Sequence, residues 1–237
     1  MKYIKTAKYD NQFLLDNMMG PNAMKIAEQL TVGLTIKPGM RVLDLGCGKG
    51  LTSIFLAKEF GVGVFAHDLW VGATENYRRF KSFDLDNLII PIYGDANDMP
   101  YADEYFDAVI GVDAYEYFGE TESYMDEKLA QPVKSGGIIA IAVPGVKKEL
   151  NGVLPVEMSY SWTVEDLSTF HSCDWGRELL SKSQKIEIES VSEMPDLDEL
   201  WNDWLACDNE YAVRDRPAME AGAGKYMNFV QIIAKKK

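Results

Sequence analysis

The chain has 237 residues, of which 47% are hydrophobic and 26% charged, a balance typical of a folded domain that excludes an intrinsically disordered chain. Its 24 basic and 37 acidic residues give a formal net charge of −13, which disfavours nucleic acid as a partner, because affinity for phosphate backbones depends on Lys and Arg. No apolar run approaches the roughly 18 residues that a membrane span requires.

Predicted helices and strands alternate over the first two thirds of the chain. Asn22 has a side chain suited to cap a helix whose apolar residues recur at helical spacing. Further helices are predicted from Leu51 onward, from Gly72 to Phe83 and from Glu122 to Ala130. Short runs rich in Val and Ile predict strands at Arg41–Leu45, Gly63–His67, Ile89–Tyr93, Phe106–Val112 and Ile138–Val143. This alternation is the pattern of parallel βαβ units.

The last third of the chain has a different pattern. Residues 163–166 have the form of a capping box and predict that a helix begins there. Apolar residues from Leu197 to Leu205 recur at helical spacing, and runs at Lys185–Val191 and Tyr226–Ala234 predict two strands paired antiparallel at one sheet edge. We therefore predict an α/β fold, Rossmann-like, with a seven-stranded mostly parallel sheet, helices on both faces and an antiparallel last strand.

A glycine-rich turn directly follows the first predicted strand. Gly46, Gly48 and Gly50 alternate there, and glycine permits a positive φ and lets a ligand approach the backbone. The helix that begins at Leu51 adds oriented N–H donors. A dinucleotide fingerprint would require glycine at position 51, and Asp44 would repel a pyrophosphate. The pattern therefore favours a ligand with a cationic group over a dinucleotide.

Two further acids follow the next two strands, Asp68 at the end of the second and Asp95 after the third. With the glycine turn, they resemble the motifs of class I methyltransferases that depend on S-adenosylmethionine (SAM), of the type 11, UbiE-like small-molecule kind. The resemblance covers residues 18–143 and implies SAM as the cofactor, with Asp44 near its ammonium, Asp68 on the ribose and Asp95 on the adenine. The candidate cofactor-binding residues are Asp44, Gly46, Cys47, Gly48, Asp68, Leu69, Asp95, Ala96 and Val112.

The resemblance also implies that the segment after the fourth strand faces the transferred methyl group. Many small-molecule methyltransferases have a histidine in this segment, whereas this chain has Glu116 and Tyr117. Glu116 is a candidate general base, and Tyr117 is a second candidate that is better suited to line the pocket. His171 is either a further catalytic candidate or a surface residue, and His67 is expected to be structural or packed by the cofactor.

We predict a single domain, residues 1–237, in three parts: an N-terminal lid and helix (1–35), a SAM-binding core (36–145), and substrate-side helices with the last two strands (146–237). The segment 17–22 is either a lid over the cofactor or an ordinary helix start. Trp201 and Trp204 either roof the acceptor pocket or pack in the core. Six acids from Met194 to Glu210 either favour a cationic or neutral acceptor or form the solvated face of a helix.

The predicted function is SAM-dependent methyl transfer to a small-molecule acceptor, by a monomer or homodimer. The alternatives are a cyclopropane-synthase-like enzyme that modifies lipids and a SAM-binding regulatory module without catalysis. Residues 1–6 lack the apolar core of a signal peptide, and Cys47, Cys173 and Cys207 form no paired motif, so a cytoplasmic protein is expected. Three cysteines can bind a soft metalloid, but no local motif supports such a site, and no metal is predicted.

Overall fold

The computed structural model describes residues 2–237, which fold around a seven-stranded sheet. Its strands are β1 (Arg41–Leu45), β2 (Gly63–Asp68), β3 (Ile89–Tyr93), β4 (Phe106–Val112), β5 (Val133–Val146), β6 (Ile186–Glu193) and β7 (Met227–Lys236). Across the sheet the order is β3-β2-β1-β4-β5-β7-β6. The first five strands pair in parallel, whereas β7 runs antiparallel to both of its neighbours. The predicted fold class is confirmed.

The α-helices of residues 2–237 pack on both faces of the sheet. They are α1 (Asn11–Asn17), α2 (Ala23–Leu30), α3 (Leu51–Phe60), α4 (Ala73–Lys81), α5 (Cys173–Ser181), α6 (Leu197–Leu205) and α7 (Glu210–Glu220). The predicted helices correspond to α2, α3, α4 and α6, whereas α1, α5 and α7 lie outside them. Across residues 2–237, no helix is long and apolar enough to cross a membrane.

The prediction of a helix over residues 122–130 is wrong. This segment forms only a short π-helical turn, Met125–Leu129. The side chain of Asp126 is tied to the loop before β6, where its Oδ2 accepts a hydrogen bond from the backbone N–H of Gln184 at 2.9 Å. Pro132 then ends the segment, because it has no N–H to continue a helical ladder.

The prediction that a helix begins at residues 163–166 is also wrong, although the capping-box hydrogen bonds do form. The backbone N–H of Thr163 donates to Asp166 Oδ2 at 2.8 Å, and the N–H of Asp166 donates to Thr163 Oγ1 at 3.2 Å. The chain continues in turns and then pairs His171 with Gly145 at the sheet. That pairing requires extended backbone, so the helix α5 begins only after Ser172.

Apolar cores fill both faces of the sheet. On β1, Val42 faces the core that contains α2 and α3, and the next residue, Leu43, faces the core that contains Phe106 and Leu129. Both side chains are fully buried, because successive residues of a strand point to opposite faces. This two-sided burial explains why the central strands appear in the sequence as continuous apolar runs rather than alternating ones.

The functional edge of the sheet is set by its topology. β1 pairs with β2 on one side and with β4 on the other. The strands that follow β1 are therefore added toward one edge of the sheet up to β3, and toward the opposite edge from β4 onward. Loops after neighbouring parallel strands diverge at such a point and leave a crevice at the carboxyl ends of the strands. The loops after β1, β2 and β4 surround this crevice.

The turn that leads into α3 requires glycine on steric grounds, and the loss of stability caused by an added Cβ can be measured. Gly50 has a φ of +79°, and a Cβ there would overlap the ring of Phe80, whereas Gly136 has a φ of +76° with no atom within 4 Å of a Cβ. We expect Gly136→Ala to lower the free energy of unfolding by about 1–2 kcal/mol through its left-handed backbone alone. Gly50→Ala should lose about 3 kcal/mol or more, because the clash adds to that cost. Urea unfolding of both variants measures the difference, and equal losses would contradict the steric argument.

Candidate active site

A cleft of about 240 Å³ opens at the carboxyl ends of β1, β2 and β4. The glycine turn after β1 lines one wall, together with the ends of β2 and β4. The loop after β3 and the N-terminal segment around Gly20 complete the walls. Eight of the nine candidate cofactor-binding residues line this cleft: Gly46, Cys47, Gly48, Asp68, Leu69, Asp95, Ala96 and Val112. The exception is Asp44.

The glycine turn is bound to the end of β2 through its backbone. The N–H groups of Gly46 and Cys47 both donate to the carbonyl oxygen of His67, at 2.9 and 3.1 Å. Gly46 and Gly48 have φ values of +75° and +51°. A Cβ at Gly46 would overlap Ala114, and a Cβ at Gly48 would lie 3.0 Å from Met19 Sδ. The absence of a Cβ at both positions therefore lets the turn pack closely against Ala114 and Met19.

Asp68 is fixed against the cleft wall by three backbone donors. Its Oδ2 accepts from the N–H of Gly48 at 2.8 Å, and its Oδ1 accepts from the N–H groups of Trp70 and Val71 at 2.8 and 2.7 Å. A carboxylate has about four acceptor positions, so capacity remains for a ligand hydroxyl. Asp68 thus braces the turn and also presents an oriented acceptor to the cleft.

Asp44 lies behind the glycine turn and, unlike the other candidate cofactor-binding residues, does not line the cleft. It is completely buried, its Oδ2 accepts a hydrogen bond from Ser53 Oγ, and its Oδ1 has no partner among the described residues. Burial raises the pKa of Asp44 to about 7, and the charge of Asp68 adds to that rise, against the lowering effect of Ser53. When ionised, Asp44 can act on a ligand in the cleft only by an electrostatic interaction across the backbone of the turn.

The loop after β3 contributes Asp95 and packs on His67. The backbone at Gly94 passes so close to the imidazole that a Cβ would lie 2.9 Å from its Nε2. His67 lines the cleft, and its Nδ1 hydrogen-bonds the hydroxyl of Tyr101 at 2.8 Å. Burial lowers the pKa of His67, so the ring is neutral near pH 7. Asp95 is exposed and accepts from the backbone N–H of Asn97 at 2.8 Å.

After β4, the structure turns Glu116 away from the cleft, against the expectation for a general base, and places Asp113 in the cleft wall. Glu116, the candidate base, does not line the cleft and is only 4% exposed, whereas Asp113 and Tyr117 do line it. Asp113 has a left-handed φ of +55°, and its N–H donates to the carbonyl of Ala142 at 2.8 Å. The 3₁₀ turn Tyr115–Tyr117 then rotates Glu116 inward, behind Asp113, and Tyr117 outward.

The cleft is electrostatically negative. Asp68, Asp95 and Asp113 line it, and the basic residue among its lining side chains is Lys49. The ammonium of Lys49 is directed away, since its Nζ donates to the carbonyl oxygen of Asp16 at 3.0 Å. With Asp44 behind the turn, this arrangement attracts a cation and repels a pyrophosphate.

The N-terminal segment covers the cleft. Asn17, Met19, Gly20 and Pro21 line it, and the backbone at Gly20 lies so close to Asp113 that a Cβ would overlap the carboxylate. Asn17 is held in place by Arg79, whose Nε donates to Asn17 Oδ1 at 2.8 Å. The residues singled out as a possible lid therefore contact the site.

The acidic segment from Met194 to Glu210 does not roof the cleft. The structure describes all of these residues, and none of them lines it. Its acids instead attach α6 to α2: Lys25 Nζ lies 2.7 Å from Asp203 and 3.3 Å from Glu199. Asn22 Nδ2 also donates to Asp203 Oδ2 at 2.7 Å. The steering role expected of this segment is therefore not supported by its position.

The two tryptophans of α6 pack in the core instead of covering the acceptor. Trp204 is 2% exposed, and its Nε1 donates to Asp215 at 3.0 Å. Trp201 is 4% exposed and packs against the ring of Trp162, with 6.1 Å between the ring centroids. Neither side chain lines the cleft.

His171 lies outside the cleft, in a separate polar contact. Its Nδ1 is 2.9 Å from a carboxylate oxygen of Glu149 and its Nε2 is 3.3 Å from Glu120, while the ring stacks on Trp175 at 3.6 Å. Residues 2–237 contain no group of His, Cys, Asp or Glu side chains arranged to hold a metal ion.

Several residues that line the cleft lie outside the predicted set. They include Trp70, Asn97, Asp113, Ala114 and Phe118. Asp113 could have been found from the sequence, because it follows a parallel strand just as Asp68 ends β2. The others lie on loops, whose positions depend on tertiary packing.

Comparison with known proteins agrees with this geometry. Residues 42–137, which contain most of β1, all of β2 to β4 and the glycine turn, match the family model described as a methyltransferase domain. Methyltransferase GfsG from Streptomyces halstedii is 28% identical over 172 residues, which cover 71% of this chain and 62% of GfsG. The chain therefore spans less than two thirds of this relative.

Solved structures share the fold at low sequence identity. A putative sarcosine dimethylglycine methyltransferase from Galdieria sulphuraria has a TM-score of 0.71 at 17% identity, covering 90% of this chain and 86% of that one. The [4+2]-cyclase SpnF has a TM-score of 0.69 at 15% identity, covering 100% and 96%. These likenesses concern the fold alone.

The sheet order, the glycine turn and the acids at the strand ends define a Rossmann-like α/β fold. Over residues 42–137, the chain is therefore similar in sequence to methyltransferase domains.

The raised pKa of Asp44 makes stability depend on pH. Between its ordinary value of 3.8 and about 7, the folded protein holds a proton that the unfolded chain has released, so stability falls as pH rises across this window. Asp44→Asn removes this titration. We expect the free energy of unfolding of the variant, relative to the native protein, to increase by about 4 kcal/mol from pH 4 to pH 7, and to change little above that.

Urea unfolding at several pH values measures this difference. The exposed Asp86 serves as a matched control, because Asp86→Asn removes the same charge without burial and should give no such slope. A difference between Asp44→Asn and the native protein that does not vary with pH would contradict the assignment.

Proposed function

We propose that this protein transfers a methyl group from SAM to a small-molecule acceptor. The observation that carries this proposal is the cleft itself, in which a glycine cradle lies beside three acidic side chains at the carboxyl ends of parallel strands. SAM is a cation at neutral pH, with a sulfonium, an ammonium and one carboxylate. Its positive charge matches the negative walls of this cleft.

The proposed cofactor contacts follow the residues of the cleft. Gly46, Cys47 and Gly48 would hold the methionine part, with Asp44 acting on the ammonium as a buried charge behind the turn. Asp68 would accept hydrogen bonds from the ribose hydroxyls, since backbone donors already orient its carboxylate. The adenine would lie between two loops, with Leu69, Asp95, Ala96 and Val112 as the further candidate contacts.

When bound, SAM supplies an electrophilic methyl group on a positively charged sulfur. The chain's own contribution would be to align an acceptor with that methyl and to exclude water, which accounts for most of the acceleration in such a displacement. Residues 17–21 would act as the lid, because they lie over the cleft and contact Asp113. The acceptor would enter beside Tyr117, whose side chain is 60% exposed at the rim.

We further propose that residues 1–35, 36–145 and 146–237 supply the lid, the cofactor core and the acceptor side of a single domain. A cytoplasmic location and a monomeric or dimeric state are part of the same proposal. A cyclase-type reaction without methyl transfer would give SAM binding but no S-adenosylhomocysteine (SAH) with any acceptor. A panel of metabolite acceptors assayed for SAH release separates the two.

Removing Asp68 tests the cofactor site. We expect Asp68→Ala to weaken SAM binding about a hundredfold, because a charge-assisted contact to two hydroxyls is lost. Isothermal calorimetry measures the dissociation constant, and circular dichroism checks that the fold is intact. Asp174→Ala is the control, since Asp174 has a side chain that is 93% exposed on α5. Unchanged affinity in a folded Asp68→Ala variant would refute the proposed ribose contact.

The proposed cofactor class can also be tested without mutation. SAM should raise the melting temperature of the native protein in proportion to the logarithm of its concentration, and NAD should not. The reason is that Leu51 replaces the third dinucleotide glycine and that the negative cleft repels a pyrophosphate. Stabilisation by NAD but not by SAM would overturn the proposed function.

A further inference from the structure

Three carboxyl groups lie together on the side of the cleft where the acceptor would bind. Asp113 lines the cleft, and the carboxyl of Glu116 lies directly behind it. Asp215 is 7% exposed and lies close enough for its charge to act on Asp113. The carboxylate of Asp215 already has hydrogen-bond donors, because Trp162 Nε1 and Trp204 Nε1 donate to it at 2.9 and 3.0 Å.

Asp113 and Glu116 have no such partners. Both oxygens of Glu116 are buried without a hydrogen bond, and neither acid forms an ion pair with any Lys, Arg or His of residues 2–237. A buried carboxylate without a partner is costly, so such a pair either retains protons or is completed by a cationic ligand. Burial and the charge of Asp113 raise the pKa of Glu116 well above its ordinary value, and burial also raises the pKa of Asp113, to about 6.

The position of Asp113 favours a cationic ligand as the partner of this pair. Its left-handed backbone and its hydrogen bond to Ala142 turn the carboxylate toward the cleft, where the backbone of Gly20 covers it. Tyr117 and Trp70 form an aromatic pair at the same rim, with ring centroids 5.1 Å apart. An acid with aromatic faces beside it is a suitable environment for an ammonium group.

We propose that the methyl acceptor is an amine, recognised as its ammonium ion by Asp113. This inference rests on the proposed methyltransferase function and names the acceptor class for it.

The chemistry balances with groups already present. The ammonium ion gives one proton to the Asp113 carboxylate and becomes a neutral amine with a free lone pair. That lone pair forms the new N–C bond to the methyl group while the C–S bond breaks, and the bonding electrons remain on sulfur as a neutral thioether. The product is the methylated ammonium ion, and the proton on Asp113 leaves to solvent when the cleft opens.

The test compares ammonium probes with alcohols of the same shape. Methylammonium, ethylammonium and benzylammonium are titrated against methanol, ethanol and benzyl alcohol on the SAH-loaded protein, with ligand-observed NMR to measure binding. At least one ammonium probe should bind roughly ten- to hundredfold more tightly than its matched alcohol. Asp113→Asn should reduce that ratio to near one, and asparagine tolerates the left-handed φ, so the fold is retained.

Two controls make the result specific. Asp174→Asn removes one exposed charge from α5 and should leave the ammonium preference unchanged. SAH affinity is measured separately in every variant. Failure of the native protein to bind SAH would refute the proposed function. SAH binding without an ammonium preference, or an equal preference in Asp113→Asn, would overturn only the proposed acceptor class.

Discussion

The backbone link between the glycine turn and the end of β2 is the contact on which the rest of the site depends. The carbonyl of His67 accepts from two N–H groups of the turn, and the carboxylate of Asp68 accepts from a third. These bonds fix the separation of two strand ends that are neighbours in a parallel sheet. The positive φ values of Gly46 and Gly48 make this geometry possible, and the absence of a Cβ lets Ala114 and Met19 pack closely on the turn.

Uncompensated negative charge is the second organising feature. Asp44, Asp68 and Asp113 lie at the same edge because parallel strands bring their carboxyl ends together. Repulsion from Asp68 contributes to the raised pKa of Asp44, so the free protein carries an electrostatic strain. A cationic ligand relieves that strain on binding. A cationic ligand could therefore bind in this cleft without a basic pocket, in a protein of net charge −13.

The acceptor side is built from parts that are distant in the sequence. The N-terminal segment reaches Asp113 at the end of β4, and α6 holds α2 through Lys25 and Asn22. The acids of α6 therefore act indirectly: they set the position of the helix that follows the lid segment. Trp162 and Trp204 meet on Asp215, which links the late helices to the region behind the cleft.

The sequence by itself determined the strands, the glycine turn and the acids at the strand ends, because these depend on local periodicity and on the obligatory meeting of parallel strand ends. It also indicated the cofactor class, since the glycine spacing and Asp44 are local features. Only the tertiary structure decided that Glu116 turns inward and Asp113 outward, because a left-handed residue and a 3₁₀ turn follow β4. The docking of the acidic segment on α2, and the loss of the helix expected at residues 163–166, depend on contacts between residues far apart in the chain. The spacing of apolar and polar residues within either segment does not predict those contacts.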